Sequence, residues 1–330
     1  MALGEFDLID RYFRSAQSPD RRRGIVLGIG DDAALLEPRP GQQLVAALDT
    51  LVEGRHFPHG SAPRSIGHRA LAVNLSDLAA MGATPAWYLL ALTLPAVDEK
   101  FLGEFASGMM DLAREHDVAL VGGDTTAGPL SISVQVLGHV PPGAALLRSG
   151  AQPGDLLFVS GWPGEAAAGL QLEMGSARVS PDASDADASA TRLRQRFLFP
   201  EPRVALGVAL RGLASACIDI SDGLAGDAHK IAVASGCGVA IEAQKALVSP
   251  ALEATLGREA AMRAVLTGGD DYELCFTVPA NRLAELAHAL INVKCPVTCI
   301  GVMEAQPGLR VRDQGLAVTF PVHAFEHFVT

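Results

Sequence analysis

At 330 residues, 49% hydrophobic and 19% charged, the chain is too long for one typical core and suits two domains. A net charge of −11 excludes nucleic acid as a general partner, since a phosphate backbone calls for a basic footprint. Nucleotides remain open, provided that metal ions neutralise their phosphates.

The cysteines (Cys217, Cys237, Cys275, Cys295, Cys299) are odd in number and contain no Cys-x-x-Cys, which fits reduced thiols in the cytoplasm rather than a disulfide framework. Met1 to Asp7 shows no basic segment followed by an apolar core, so no signal peptide is expected. Leu78 to Val97 carries no charge, but Gly82, Pro85 and Pro95 break it, and a membrane span is not expected.

In chain order, residues 5–16 read as an amphipathic helix with Phe6, Ile9 and Phe13 on one side. Strands are expected near 24–29 and 44–49, then a polar loop holding Glu53, Arg55, His56 and His59. Pro58 within His56-Phe57-Pro58-His59 favours a loop over a metal pair. Residues 65–81 read as a helix whose stripe Ile66, Ala70, Val73, Leu78, Met81 also carries Asn74 and Asp77. A carboxylate there is costly unless paired or metal-bound, the alternative being an Asp at the edge of the stripe. A buried strand over 86–94, a helix capped by Asp98, a strand to Val121 and another through Ile132, Val134 and Val136 complete the first half.

Pro141-Pro142-Gly143 and Gly150 to Gly154 bracket a domain boundary, giving 1–143 and 144–330. The second half reads as strand 155–160, a helix to Met174, a Ser/Ala/Asp-rich stretch 176–191 too polar to pack, and a helix after Pro202. Helix 224–235 stops at Gly236. Strands near 238–242, 272–278, 297–301 and 316–320 alternate with helices near 251–265 and 280–292. No uniform βαβ rhythm emerges, so the fold class is α/β of the α+β kind, in two domains.

One device recurs: apolar runs that deliver acids to expected strand ends. Gly24 to Leu27 leads into Gly28-Ile29-Gly30-Asp31-Asp32, and Leu44 to Leu48 into Asp49-Thr50. Val118 to Val121 leads into Gly122-Gly123-Asp124-Thr125-Thr126, Cys217-Ile218 into Asp219-Ile220-Ser221-Asp222-Gly223, and Val265 to Thr267 into Gly268-Gly269-Asp270-Asp271. For one such segment a plain turn is the alternative. Five suit hard cations, which prefer oxygen ligands. Gly28-x-Gly30-x-x-Ala33 also imitates a dinucleotide fingerprint, but Asp31 and Asp32 would stand where a pyrophosphate must approach, and Pro38 and Pro40 arrive too soon for the helix it needs. There is no Walker loop, no Gly-x-Ser-x-Gly elbow and no cysteine in a nucleophile-like setting. The spacing of His323 and His327 allows a metal pair, or simply a short terminal helix.

Oxygen ligands beside threonines and serines suit Mg²⁺ held by one or two carboxylates and substrate phosphates. An acceptor that is itself a phosphate monoester, with a second pKa of about 6, needs no general base at neutral pH. Gly4-Glu5-Phe6, Gly28-Ile29-Gly30-Asp31-Asp32, Asp49 to Phe57, Asn74 to Gly82, Gly122 to Thr126, Arg148-Ser149-Gly150, Asp219 to Leu224 and Gly268 to Leu274 stand in an order that resembles the bacterial thiamine-monophosphate kinase family, of the aminoimidazole-ribonucleotide-synthetase-like superfamily.

The resemblance spans nearly the whole chain. It implies ATP-dependent phosphorylation of thiamine monophosphate to thiamine diphosphate, by direct in-line transfer with several Mg²⁺ ions and no catalytic base. It further implies a cytoplasmic homodimer paired through its N-terminal domains. The implied metal ligands are Asp32, Asp49, Asp77, Asp124, Asp219 and Asp222. ATP contacts fall on Gly123, Asp124, Arg148 and Ser221, and thiamine-phosphate contacts on His56, Asp270 and Phe325. Two departures stand out. Asp270 occupies a place where the family often has Glu, and Ala47 and Leu48 lack hydroxyls seen in some relatives. Selenophosphate synthetase is disfavoured because the first cysteine is Cys217, and the hydrogenase-maturation relative because the chain ends His327-Phe328-Val329-Thr330. A non-catalytic dimerisation module would have no need of Arg148.

Overall fold

The computed structural model describes residues 4–13, 20, 23–180, 185–245, 248–313 and 316–318. The chain forms two compact units, one of Met1–Leu78 and Ala83–Gly143, the other of Ala79–Gly82 and Ala144–Thr330. Phe325, His323 and His327 lie outside the described residues.

The first unit contains α1 (Glu5–Tyr12), the short pair β1 (Ile25–Leu27) and β2 (Leu35–Leu36), then β3 (Gln43–Val52), α2 (Pro63–Ala80), β4 (Thr84–Leu94), α3 (Glu99–Glu115), β5 (Ala119–Ala127) and β6 (Ser131–Val140). Four strands make a sheet in the order β3-β6-β4-β5, antiparallel except for the β4/β5 pair. Alternation decides its faces: Ile132, Val134 and Val136 of β6 and Leu90, Leu92 and Leu94 of β4 are buried. Asp98 caps α3 as expected, accepting from the backbone N–H groups of Lys100 and Phe101.

The second unit holds β7 (Leu156–Ser160), α4 (Glu165–Glu173), α5 (Ala186–Leu198), α6 (Val204–Ala209), β8 (Ala216–Asp219), α7 (Leu224–Ala234), β9 (Gly238–Glu242), α8 (Pro250–Leu256), α9 (Arg258–Thr267), β10 (Leu274–Val278), α10 (Leu283–Ala289), β11 (Val297–Glu304), β12 (Gly308–Asp313) and β13 (Leu316–Val318). Its seven strands run β13-β12-β9-β11-β7-β10-β8. Period-two alternation gives the sheet two cores. Leu157, Val159, Ile218 and Cys275 join the cluster that includes Ile231 of α7, and Phe158, Cys217 and Phe276 join the one that includes Leu206 of α6 and Leu286 of α10.

Several expectations are corrected. Asp49 and Asp124 lie inside β3 and β5, because the Gly-Gly-Asp-Thr-Thr segment continues its strand. Asp270 and Asp271 follow helix α9, not a strand. Residues 186–191 of the stretch expected not to pack form the start of α5, with Ala190 packed against the core; beyond the stretch, α5 buries Leu193 and Phe197, and its Arg192 pairs with buried Glu165 at 2.9 Å. The helix expected over 251–265 is two, parted at Gly257, whose φ of 75° ends the first. The structure adds β12, which pairs in parallel with β9.

Helices α2 and α3 touch backbone to backbone. A Cβ on Gly67 would lie 2.0 Å from the Phe105 carbonyl oxygen, and one on Gly108 would lie 2.0 Å from that of Arg64. Gly108→Ala must therefore push two helices apart, a strain of about 1–3 kcal/mol. Urea unfolding should show that loss, and a change below ~0.5 kcal/mol, ordinary for a surface site, would contradict the contact.

Candidate functional site

In the first unit, the chain leaves β1 through Gly28-Ile29-Gly30-Asp31-Asp32, where the Asp31 carboxylate accepts the Asp32 N–H at 2.9 Å and fixes a tight turn. Gly30 has φ of 123°, which favours glycine. This loop walls a cavity of about 880 Å³ whose lining includes Asp31, Asp32, Gly123, Asp124, Ser133 and Gln135 among apolar residues such as Phe13 and Leu89. Such a volume lies in the range of small-molecule sites. Asp32, Gly123 and Asp124, distant in sequence, are thus brought together. Gly123 is required there, since a Cβ would stand 1.8 Å from the Leu90 carbonyl oxygen.

Asp49 and Asp77 are not among that lining. Sheet register places Thr50, Ser133, Ala91 and Asp124 in one row, and Asp49, Val134, Leu90 and Gly123 in the next. Adjacent rows point to opposite faces. Asn74 of α2 accepts the Asp49 N–H at 2.9 Å, so the polar residue on the α2 stripe orders the strand that carries Asp49. Asp77, one turn further along α2, is half-buried. Partial desolvation raises the Asp49 carboxyl above its usual range, and nearby His56 works against that rise. His56 Nδ1 accepts the Val52 N–H at 3.0 Å, which holds the loop after β3.

In the second unit, Asp219 ends β8 and is buried. The turn that follows is organised by a residue that the sequence reading passed over. One oxygen of fully buried Asp227, in the first turn of α7, accepts the N–H groups of Ser221, Asp222 and Gly223 at 3.1, 3.1 and 3.2 Å. Burial pushes this carboxyl up, and Lys230 and the backbone donors work against that. Lys230 Nζ reaches Asp227 Oδ1 at 2.8 Å and Asp222 Oδ2 at 2.6 Å. An acid in the first turn of the expected helix 224–235 was a usable signal, because it suits the exposed N–H groups there.

The Gly268–Tyr272 segment packs on this turn. The Asp270 N–H donates to the Ser221 carbonyl and the Tyr272 N–H to that of Ile220, both at 2.9 Å. Asp270 and Tyr272 adopt positive φ of 62° and 51°. Such backbone costs about 1–3 kcal/mol per residue and concentrates at functional sites. Adjacent acids part company here. Asp270 accepts the Tyr272 hydroxyl at 3.2 Å, whereas both oxygens of Asp271 accept the Gly164 N–H at 2.9 Å and so cap α4. Burial pushes the Asp271 carboxyl well up, and those donors oppose it.

Glu273 anchors the far end of the segment. Arg203 grips it through Nε at 2.6 Å and Nη2 at 2.5 Å, and the Ser160 hydroxyl donates to it at 2.5 Å. Arg148 is exposed in the same unit and makes no ion pair with the described residues. Among the described residues no three His, Cys, Asp or Glu side chains converge as a ready metal site. The donor set is nevertheless all oxygen, and an ammonium already sits as a stand-in cation on Asp222. These residues fit Mg²⁺, which commonly takes one or two carboxylates and leaves the rest to phosphates and water.

Fold and carboxylate loops together define the AIR synthase related class. Residues 30–140 match the N-terminal domain of the AIR synthase related proteins and residues 152–314 their C-terminal domain. The chain is 48% identical to the thiamine-monophosphate kinase of Escherichia coli K12 over the full length of both, and 36% identical to that of Bacillus subtilis over 94% of each. The solved thiamine-monophosphate kinase of Stenotrophomonas maltophilia K279a superposes with a TM-score of 0.85 at 46% identity, covering 96% of this chain and 99% of that one. AaThiL complexed with AMPPCP and TMP gives 0.73 at 31% identity, with 96% of each chain covered. The chain belongs to the thiamine-monophosphate kinase family. Hydrogenase-maturation protein HypE of Escherichia coli, at 22% identity and a TM-score of 0.75, shares the fold.

The buried Arg203–Glu273 pair gives a test of how the second unit is held. Arg203→Met strands a buried carboxylate and should destabilise the protein by about 3–5 kcal/mol, whereas Arg203→Met with Glu273→Met should recover most of that loss. Chemical denaturation of both variants decides; a single variant as stable as the double one would contradict the grip.

Proposed function

We propose that this protein transfers the terminal phosphoryl group of ATP to thiamine monophosphate, yielding thiamine diphosphate as the last step of thiamine diphosphate synthesis. Full-length similarity at 48% identity to an enzyme of that name carries the reading. A relative complexed with TMP and an ATP analogue supports it. Phosphoryl transfer asks a protein mainly to position the reactants and offset their charge.

Asp32, Asp49, Asp77, Asp124, Asp219 and Asp222 would hold Mg²⁺, which would offset the charge of the phosphates. Gly123 and Asp124, which line the same cavity, contact ATP. Arg148, with no ion pair to the described residues, faces ATP phosphates, and Ser221 adds a hydroxyl beside Asp222. His56, Asp270 and Phe325 contact thiamine monophosphate. The acceptor is a phosphate oxygen that has already lost its proton at neutral pH, so no side chain serves as general base.

Residues 1–143 form the ATP- and Mg-binding and dimerisation domain, and residues 144–330 the C-terminal α+β domain. A homodimer paired through the first-unit sheets accounts for Leu44, Leu48 and Val52, which share one face of β3 and are 47%, 58% and 39% exposed. The cytoplasm supplies ATP and Mg²⁺, and the five free cysteines suit its reducing conditions. No helix among the described residues is long and apolar enough to cross a membrane.

Two measurements bear on this mechanism. Asp32→Asn should leave thermal unfolding native-like while turnover of thiamine monophosphate falls below about a tenth of wild type, more than ~1.4 kcal/mol in barrier. Full turnover would remove Asp32 from the site. For His56→Asn, an amide oxygen can still accept the Val52 N–H, so the loop is kept while the imidazole contact and any proton transfer are lost. Thiamine-phosphate binding should weaken while kcat stays within about tenfold. Above about pH 6, where the acceptor phosphate is ionised, the rate should level off for both proteins. A thousandfold fall in kcat, with the acid limb lost, would establish a general base instead.

A further inference from the structure

The turn that carries Asp222 brings its own cation, and the two carboxylates around that cation are held very differently. Asp227 is fully buried, and one of its oxygens takes three backbone N–H groups, so it cannot move without unfolding the turn. The Asp222 side chain is 26% exposed and has Lys230 as its sole side-chain partner among the described residues. Lys230 spans both from the next turn of α7, with its own side chain 37% exposed. Its flexible stem ends in a compact point charge that a backbone-fixed donor could not imitate.

The arrangement is therefore a hinge at Asp227 and a release point at Asp222. We propose that Lys230 is a positioning residue which holds Asp222 in place of a divalent cation in the substrate-free protein and surrenders that carboxylate when the metal arrives. This rests on the reading of Asp222 as a metal ligand. Lys230 then stays tethered to Asp227, so the turn keeps its shape through the exchange. Its charge opposes the incoming ion twice, by occupying the carboxylate and by repulsion. An Asp222 with no resident cation would instead leave its charge beside that of Asp227, with like charges unrelieved.

Mn²⁺ alone, without nucleotide, probes the exchange by titration calorimetry on the full chain. Lys230→Met and Lys230→Gln should bind Mn²⁺ roughly two- to fivefold more tightly than wild type, the scale of a partly exposed ion pair, and Lys230→Arg should stay near wild type. A merely structural lysine would give no gain, because damage to the turn lowers affinity. In an Asp222→Asn background the gain from Lys230→Met should vanish. Unchanged or weaker binding by the folded neutral variants overturns the proposal, as does a gain that persists with Asp222→Asn, which would be general charge removal. If both neutral variants lose cooperative unfolding, Lys230 is a structural requirement and the proposal also falls. Turnover of thiamine monophosphate by wild type, measured alongside, reports on the kinase reading separately.

Discussion

Acids brought close together repel one another, and the second unit is arranged, at its turns, around that constraint. Its answer is to spend some acids on holding others. Asp227 collects three N–H groups and fixes the Ser221–Gly223 turn, Asp271 caps α4, and Glu273 is clamped by Arg203 and Ser160. Asp270 and Asp222 are left at the edges of these fixed points. An acid with several backbone or arginine donors is fixed in place, whereas Asp222 has Lys230 as its sole side-chain partner among the described residues.

The first unit meets the same constraint with geometry rather than counter-charge. The β3-β6-β4-β5 register separates Asp49 and Asp124 into adjacent rows, and partial desolvation raises the Asp49 carboxyl while His56 opposes the rise. Close backbone approach brings Gly123 of β5 against Leu90 of β4, and at Gly67 and Gly108 it draws α2 and α3 together. With aromatics at only 5%, side-chain bulk does little of this positioning. Contacts between backbones are shorter and stiffer than contacts through side chains, so the functional loops inherit that stiffness.

Strain adds the last element. Asp270 and Tyr272 hold left-handed backbone between two anchors, the Gly268–Tyr272 pairing with the Asp219 turn on one side and the Arg203 clamp on the other. Such a conformation persists only when the surroundings over-determine it. The acid expected to contact substrate is therefore presented by a segment that cannot relax, which shortens the search for a productive geometry on binding.

By itself the sequence determined the order of most elements, because apolar periods of two and 3.6 are local properties, and it determined the class of chemistry, because the acids stand in a distinctive series of short motifs. It also carried the family, through motifs spread over nearly the whole chain. Tertiary structure alone decided which acid does what. Asp270 and Asp271 are chemically alike and adjacent, and only the arrival of the Gly164 N–H makes one a helix cap. Asp227 looked like an ordinary residue of helix α7 until its turn folded back onto it. The Gly-Gly-Asp-Thr-Thr segment read as a turn because glycine and aspartate favour turns, yet pairing with β4 kept it extended. Residues 176–191 read as too polar to pack, yet 186–191 begin a helix that is held by Leu193 and Phe197, buried beyond the stretch, and by an ion pair on Glu165. Pairing, capping and burial are non-local, and they override local propensity wherever a partner distant in sequence supplies more free energy than the chain's own preference.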